Sequence, residues 1–248
     1  MKNYVKLFGS IGIIAVFFTI ISDVILLGRP DSAYSFFAKP TECMAEIALW
    51  RITAGVFIGV FMLPFQLAGL APLYYGLKPL GRKMQLLAVI PSGHALTMGI
   101  AFHMSYAFMA SGWKLFYATM PGNQMAAAPG NDLLTEALWN DPAASMMKSF
   151  DFYWQLLIVI MLAELIFCSC FFAITVLRGK TLFPKWMAAF NPLFIMGAVF
   201  LIISLIPSPA GGFIAPTILN TSNFTFFILS TVVIHNRAKD LRTIQTEY

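Results

Sequence analysis

The run FDFYWQLLIVIMLAELIFCSCFFAITVL, residues 150–177, carries only two charged side chains, Asp151 and Glu164. A bilayer core of about 30 Å needs about 20 apolar residues in a helix, and this run exceeds that length. Five further stretches read the same way: about 7–28, 45–75, 85–112, 186–206 and 212–235. The second contains Pro64 and Pro72, so a kink or an interfacial end is expected there. Turn chemistry separates the stretches at Gly28-Arg29-Pro30, Lys78-Pro79-Leu80-Gly81, Arg178-Gly179-Lys180 and Pro207-Ser208-Pro209. The expected fold is an all-α bundle of about six transmembrane helices forming a single polytopic domain over 1–248.

Composition agrees. Hydrophobic residues make up 59% of the chain and charged residues 11%, against about 25% charged in soluble domains. Mean hydropathy is +0.77, which leaves too few polar side chains to coat a water-facing surface. Cys43, Cys168 and Cys170 have no metal-type spacing and do not suggest a disulfide framework. The apolar stretch after Lys2 and Lys6 is longer than the ~7–15 residues of a signal-peptide core and lacks a small-residue cleavage site, so it reads as a retained span.

The net charge of +5 is explained by where the basic residues fall. Six spans put Lys2, Lys6, Lys78, Arg82, Lys83, Arg178, Lys180, Lys185, Arg237, Lys239 and Arg242 on one side, eleven of the sixteen. The positive-inside rule then places both termini in the cytoplasm of a multi-pass cell-membrane protein. No basic patch interleaved with stacking aromatics supports a nucleic-acid partner. The longest loop, 113–149, faces the outside, and Asn131-Asp132 caps an expected amphipathic helix over 133–140, as in a lid or plug.

Ionisable residues inside spans are costly and usually face the bundle interior. They are Asp23, Glu46, Arg51, His94, His103, Asp151 and Glu164. All lie at mid-span or outward of it, which points to a polar pocket in the outer half. Each has a structural alternative: Asp23 can pair with Arg51, Glu46 can lie at headgroup level, and His94 can simply bond across a helix contact. Glu164 is the hardest to dismiss, because a mid-membrane carboxylate must be protonated, paired or solvated. His94 and His103 are nine residues apart, about 900° around a helix, so they face opposite ways and no metal site is expected. Tyr153 and Glu164, about 1100° apart, share a face that can line one cavity. Asp151 with Gln155, and His103 with Tyr106, form further polar pairs. Asn191-Pro192 and Pro216 with Asn220-Thr221-Ser222-Asn223 interrupt the last two spans, as in helices that line transporter sites. Gly55 and Gly59 form a G-x-x-x-G packing seam.

Ser22-Asp23-Val24-Ile25-Leu26-Leu27-Gly28, Trp50-Arg51 and Gly93-His94 together resemble an uncharacterised family of small bacterial multi-spanning membrane proteins. The resemblance implies a six-helix inner-membrane fold and no assigned activity.

Three functions fit these residues. The first is an intramembrane isomerase or cyclase that acts on a lipid or isoprenoid by acid–base chemistry and needs no cofactor. Glu164 would donate or accept the proton, Asp23 or Glu46 would complement it, and His94 would relay. Arg51, Tyr153, His103, Tyr106, Asp151, Gln155 and Asn220 would bind the substrate. The second is a proton-coupled permease, completed by a second copy in a homo-oligomer. The third is a non-catalytic binding or assembly protein. The partners expected are membrane lipid and a hydrophobic small molecule.

Overall fold

A computed structural model of the chain describes residues 2–38, 42–119 and 142–246, and among these every regular element is helical. The long helices are α1 (Lys2–Leu27), α3 (Leu49–Gln66), α5 (Arg82–Thr119), α6 (Pro142–Leu177) and α9 (Ile218–Thr246). The shorter ones are α2 (Ala33–Ala38), α4 (Ala71–Gly76), α7 (Pro192–Ser204) and α8 (Ala210–Ile214). Five segments are long and apolar enough to cross a membrane, one of them formed by α3 continuing into α4.

Local chemistry sets the breaks. Pro64 ends α3 within a turn, a 3-10 stretch follows over Leu67–Leu70, and Pro72 sits in the first turn of α4, where its missing N–H is not needed. The fifth expected segment, 186–206, is shorter than the sequence suggested. It folds as a 3-10 stretch, Lys185–Phe190, and then the 13 residues of α7, because Asn191 caps a new helix at Pro192. The expected outer loop is also shorter than 113–149. Helix α5 continues to Thr119 and α6 begins at Pro142, while the amphipathic helix expected at 133–140 lies outside the described residues. At 38 and 36 residues, α5 and α6 are roughly 57 and 54 Å long, well beyond the hydrocarbon thickness of about 30 Å.

Residue pairings fix the helix directions. Helix α1 runs antiparallel to α3, with Gly12 against Gly69 at one end and Leu26 against Gly55 at the other. Helix α3 is antiparallel to α5, through Leu67 with Gly93 and Gly59 with His103. Helix α5 is antiparallel to α6, through His94 with Glu164 and Gly112 with Met147. Helix α9 is antiparallel to α1, through Thr231 with Gly9 and Asn220 with Asp23. Thus α6 and α9 point the same way, and α7 must return between them. It starts beside Ser169 of α6 and reaches Phe37 of α2 with Phe200. The start of α1 and the end of α9 therefore lie at one end of the bundle, here called the lower end.

Two apolar clusters pack the interior. The lower one gathers Leu73, Leu77, Phe172, Phe183, Met187 and Phe227. The upper one gathers Leu26, Phe36, Met44, Val56, Met109 and Trp154. The outer surface is also apolar, with Phe57, Phe61, Phe152, Val159 and Leu201 each more than 60% exposed. Helices in such a medium gain little from burying apolar groups and depend on close packing. Gly12 supplies it: a Cβ there would fall on the Gly69 backbone, and neither main chain can yield. Gly12→Ala is expected to lower the thermal midpoint in detergent by the equivalent of about 1–3 kcal/mol. Gly197→Ala, where nothing lies within 4 Å of the added methyl, is expected to raise it by the equivalent of about 0.5–1 kcal/mol. Equal effects would show that the α1 crossing does not set stability.

Candidate functional site

A cavity of about 610 Å³ lies between the two apolar clusters, within the range of small-molecule sites. Helices α1, α3, α5, α6, α7 and α9 all contribute to its wall. Most of the lining is aliphatic or aromatic, and the polar groups gather at two places.

The upper place is built on Asp23. Its side chain is 8% exposed, and that of His103 is 6% exposed. Asn220 Nδ2 donates to Asp23 Oδ2 over 2.8 Å, and His103 Nε2 lies 3.4 Å from Asp23 Oδ1. One carboxyl group thereby joins α1, α5 and α9. The His103 ring packs against Gly59, where a Cβ would overlap Nδ1, so the glycine seam read from sequence is also the seat of the imidazole. Among the described residues, His103 Nδ1 has no hydrogen-bond partner. Tyr106 stands edge-on to His103, with ring centroids 6.4 Å apart, and against Trp154. All five of Asp23, His103, Tyr106, Trp154 and Asn220 line the cavity.

The lower place is built on Glu164. Its Oε1 pairs with His94 Nδ1 over 2.5 Å, while Oε2 is buried without a partner among the described residues. Glu164 lines the cavity together with Ser92 and Cys168. His94 is on the far side, with 55% of its side chain exposed. The carboxyl thus stands between the cavity and an outward-facing imidazole. His94 and His103, nine residues apart on α5, are separated by roughly 13–14 Å of helix rise and point to opposite sides, as the spacing predicts. No group of three or more His, Cys, Asp or Glu among the described residues could hold a metal.

Several expected site residues lie elsewhere. Arg51 does not pair with Asp23. Its Nε donates to the Ile25 carbonyl over 2.8 Å, and Nη2 donates to the carbonyls of Val24 and Gly28. A cation there satisfies carbonyls that the end of α1 leaves open and opposes its dipole, which makes Arg51 a structural cap. Glu46 is exposed in the turn after a 3-10 stretch at Glu42–Ala45. Tyr153 is 60% exposed and lines a separate small hollow with Phe108 and Phe150, so it does not share the Glu164 cavity. Asp151 accepts from Gln155 Nε2 over 2.6 Å on the exposed face of α6. Asn191 serves as a helix cap, accepting from the Leu193 and Phe194 N–H groups.

The sequence reading overlooked Ser92 and Cys168 as neighbours of Glu164. Their positions, two before His94 and four after Glu164, were the available signal. It also overlooked the buried bond from Gln66 Nε2 to Thr19 Oγ1, 2.8 Å long, which ties α1 to α3 below Asp23.

A family described as a family of unknown function (DUF6796) has a sequence model that matches residues 1–237. The chain belongs to that family. No curated protein and no solved structure matches it. This DUF6796 chain holds an apolar chamber with one carboxyl–imidazole pair enclosed and a second reaching the outer surface. Such pairs can hold and pass protons in a medium that supplies none.

The seat of His103 can be tested through stability. Gly59→Ala is expected to destabilise the protein in detergent by about 1–3 kcal/mol, because the methyl meets the ring. Combined with His103→Ala, the two losses should be non-additive by about 0.5–3 kcal/mol. Strict additivity in the double-mutant cycle would mean that Gly59 is tight for another reason.

Proposed function

We propose that the protein is a membrane-embedded enzyme that isomerises or cyclises an apolar lipid or isoprenoid by proton transfer. The observation that carries this reading is that one apolar cavity is lined by two carboxyl groups that each have an imidazole partner: Asp23 with His103 inside the cavity, and Glu164 with His94 on its far side. In such a reaction a protonated carboxyl gives its proton to one carbon of a C=C bond, leaving a carbocation. A base then removes a proton from a neighbouring carbon, so the double bond moves, or a ring closes first. Protons and electrons balance without an oxidant or cofactor. The faces of Phe102, Tyr106, Trp154 and Phe226 suit a developing cation. Glu164 is assigned the exchange of protons with the outer face through His94, and Asp23 with His103 the complementary step at the enclosed end.

The protein is placed in the bacterial cell membrane with six crossings and both termini in the cytoplasm. The antiparallel relation of α1 and α9 and the return of α7 favour an even number of crossings. The clustering of Lys6, Lys78, Arg82, Arg178 and Lys185 at the lower end favours that orientation.

A permease is the second reading, favoured by the interrupted segments beside the cavity at Leu70, Pro192 and Pro216. The closed lower cluster, with Leu77, Val176, Met187 and Ile234 at 2% exposure or less, offers no polar route onward and weighs against it.

The test is untargeted lipid mass spectrometry on membranes holding wild type, Glu164→Gln or Asp23→Asn at matched levels of folded protein. A product present with wild type is expected to fall by about 10²–10⁴-fold in either variant, the range lost with a positioned acid or base. Identical lipid profiles for wild type and both folded variants would sink the enzyme reading, and flux across reconstituted vesicles would then support the permease.

A further inference from the structure

Exposed residues in the cavity lining stand on α6 and α7: Leu162 on the first, Gly197 and Phe200 on the second. These two helices meet at their lower ends, where the Leu193 N–H donates to Ser169 Oγ over 3.2 Å and Ser169 is 1% exposed. Leu162 lies two turns above Ser169 on the same face of α6, seven residues away. It lines the cavity yet is 38% exposed. On α7, Gly197 stands one turn above Leu193. It also lines the cavity, and no atom lies within 4 Å of the Cβ position. Higher still, α7 is held again, by Phe200 against Phe37 of α2 with ring centroids 5.0 Å apart. The two helices therefore touch below and part by the level of Leu162 and Gly197, above which α7 packs on α2.

The rim of this gap is apolar throughout. Met161, Leu162 and Leu165 form one side, and Met196, Gly197 and Phe200 form the other. None of these six carries a polar side chain to greet a water-borne ligand. The outward faces beside it, at Val159, Phe194 and Leu201, are more than 60% exposed and apolar. Segments that cross a membrane would hold the gap at the level of the lipid tails.

We propose that the gap between α6 and α7 is a lateral portal through which the hydrocarbon chain of a membrane lipid enters the cavity, with Gly197 as the residue that keeps it open. This rests on reading the cavity as the substrate site within the membrane. It adds the route, and it restricts the substrate to molecules that reach the site from the bilayer. Gly197 serves as the sill because any larger side chain there would stand in the passage, whereas a glycine inside a helix has an entropic cost that packing here does not repay.

The test uses the full chain reconstituted in phosphatidylcholine vesicles doped with a phosphatidylcholine that carries a diazirine in one acyl chain. Adducts are mapped by mass spectrometry after illumination. Wild type is expected to be labelled at Phe226 or Trp154, which are 4% and 8% exposed and reachable only from inside the cavity. In Gly197→Trp, and separately in Leu162→Trp, interior labelling is expected to fall by about tenfold, equivalent to about 1.4 kcal/mol of lost occupancy. Labelling of outward Val159 and Phe152 should be unchanged, which also reports that each variant is folded. Wild-type labelling confined to outward positions would overturn the portal, and so would interior labelling that survives both variants. The Asp23→Asn protein separates this inference from the catalytic one. Interior labelling retained there while conversion is lost keeps the portal, whereas conversion by wild type without interior labelling removes the portal alone.

Discussion

A carboxyl group enclosed where three helices meet has to be given partners, and that requirement organises the upper half of this molecule. Asp23 takes an amide hydrogen bond from Asn220 and lies beside the His103 imidazole. Neither partner can reach it unless α9 and α5 come close to α1. The approach of α5 depends in turn on Gly59, since any side chain at that position of α3 would displace His103. One polar contact thus specifies the register of four helices. A buried ion or polar group is weak evidence for stability as such, but it discriminates strongly against arrangements that leave it alone. The apolar clusters above and below would tolerate small slides; the Asp23 contact would not.

The second carboxyl is treated differently. Glu164 shares one oxygen with His94, which opens outward, and presents the other, unpartnered, within the wall. Helix α5 supplies both imidazoles, on opposite sides and about nine residues apart, so a single rigid element connects an enclosed pair to an accessible one. Proton-transfer chemistry needs this division of labour, because the group that reacts must be dry while some group must still recover its proton.

Much of this was legible in the sequence because lipid is a demanding solvent. Runs such as 150–177 are long and apolar enough to cross a membrane, and their lengths and the turns between them reveal segments and order. The opposite facing of the two histidines and the glycine seam at Gly55 and Gly59 also follow from spacing. What spacing along one helix cannot supply is the partner on another. Arg51 looked available to Asp23, yet a single turn of chain brings it to the open carbonyls at the end of α1, which hold it with three hydrogen bonds. Tyr153 does share a side of α6 with Glu164, but at its level the residue that lines the cavity is Trp154, while Tyr153 lines a different hollow with Phe108 and Phe150. The shortening of the fifth segment came from Asn191, read as a polar interruption inside a span when it is the cap that begins a new helix.

That cap has a consequence for what the cavity can hold. The N-terminal end of a helix ordinarily offers bare N–H groups to an anion. At the start of α7, where Pro192 borders the cavity, every such group is spoken for. Pro192 has none to offer, those of Leu193 and Phe194 turn to the Asn191 side chain, and that of Ile195 turns to the Asn191 carbonyl. A phosphate or carboxylate arriving at this floor would give up its hydration and find no replacement. At the Pro192 edge of the chamber the helix start is therefore electrically mute, with no free N–H to draw a charged end towards it.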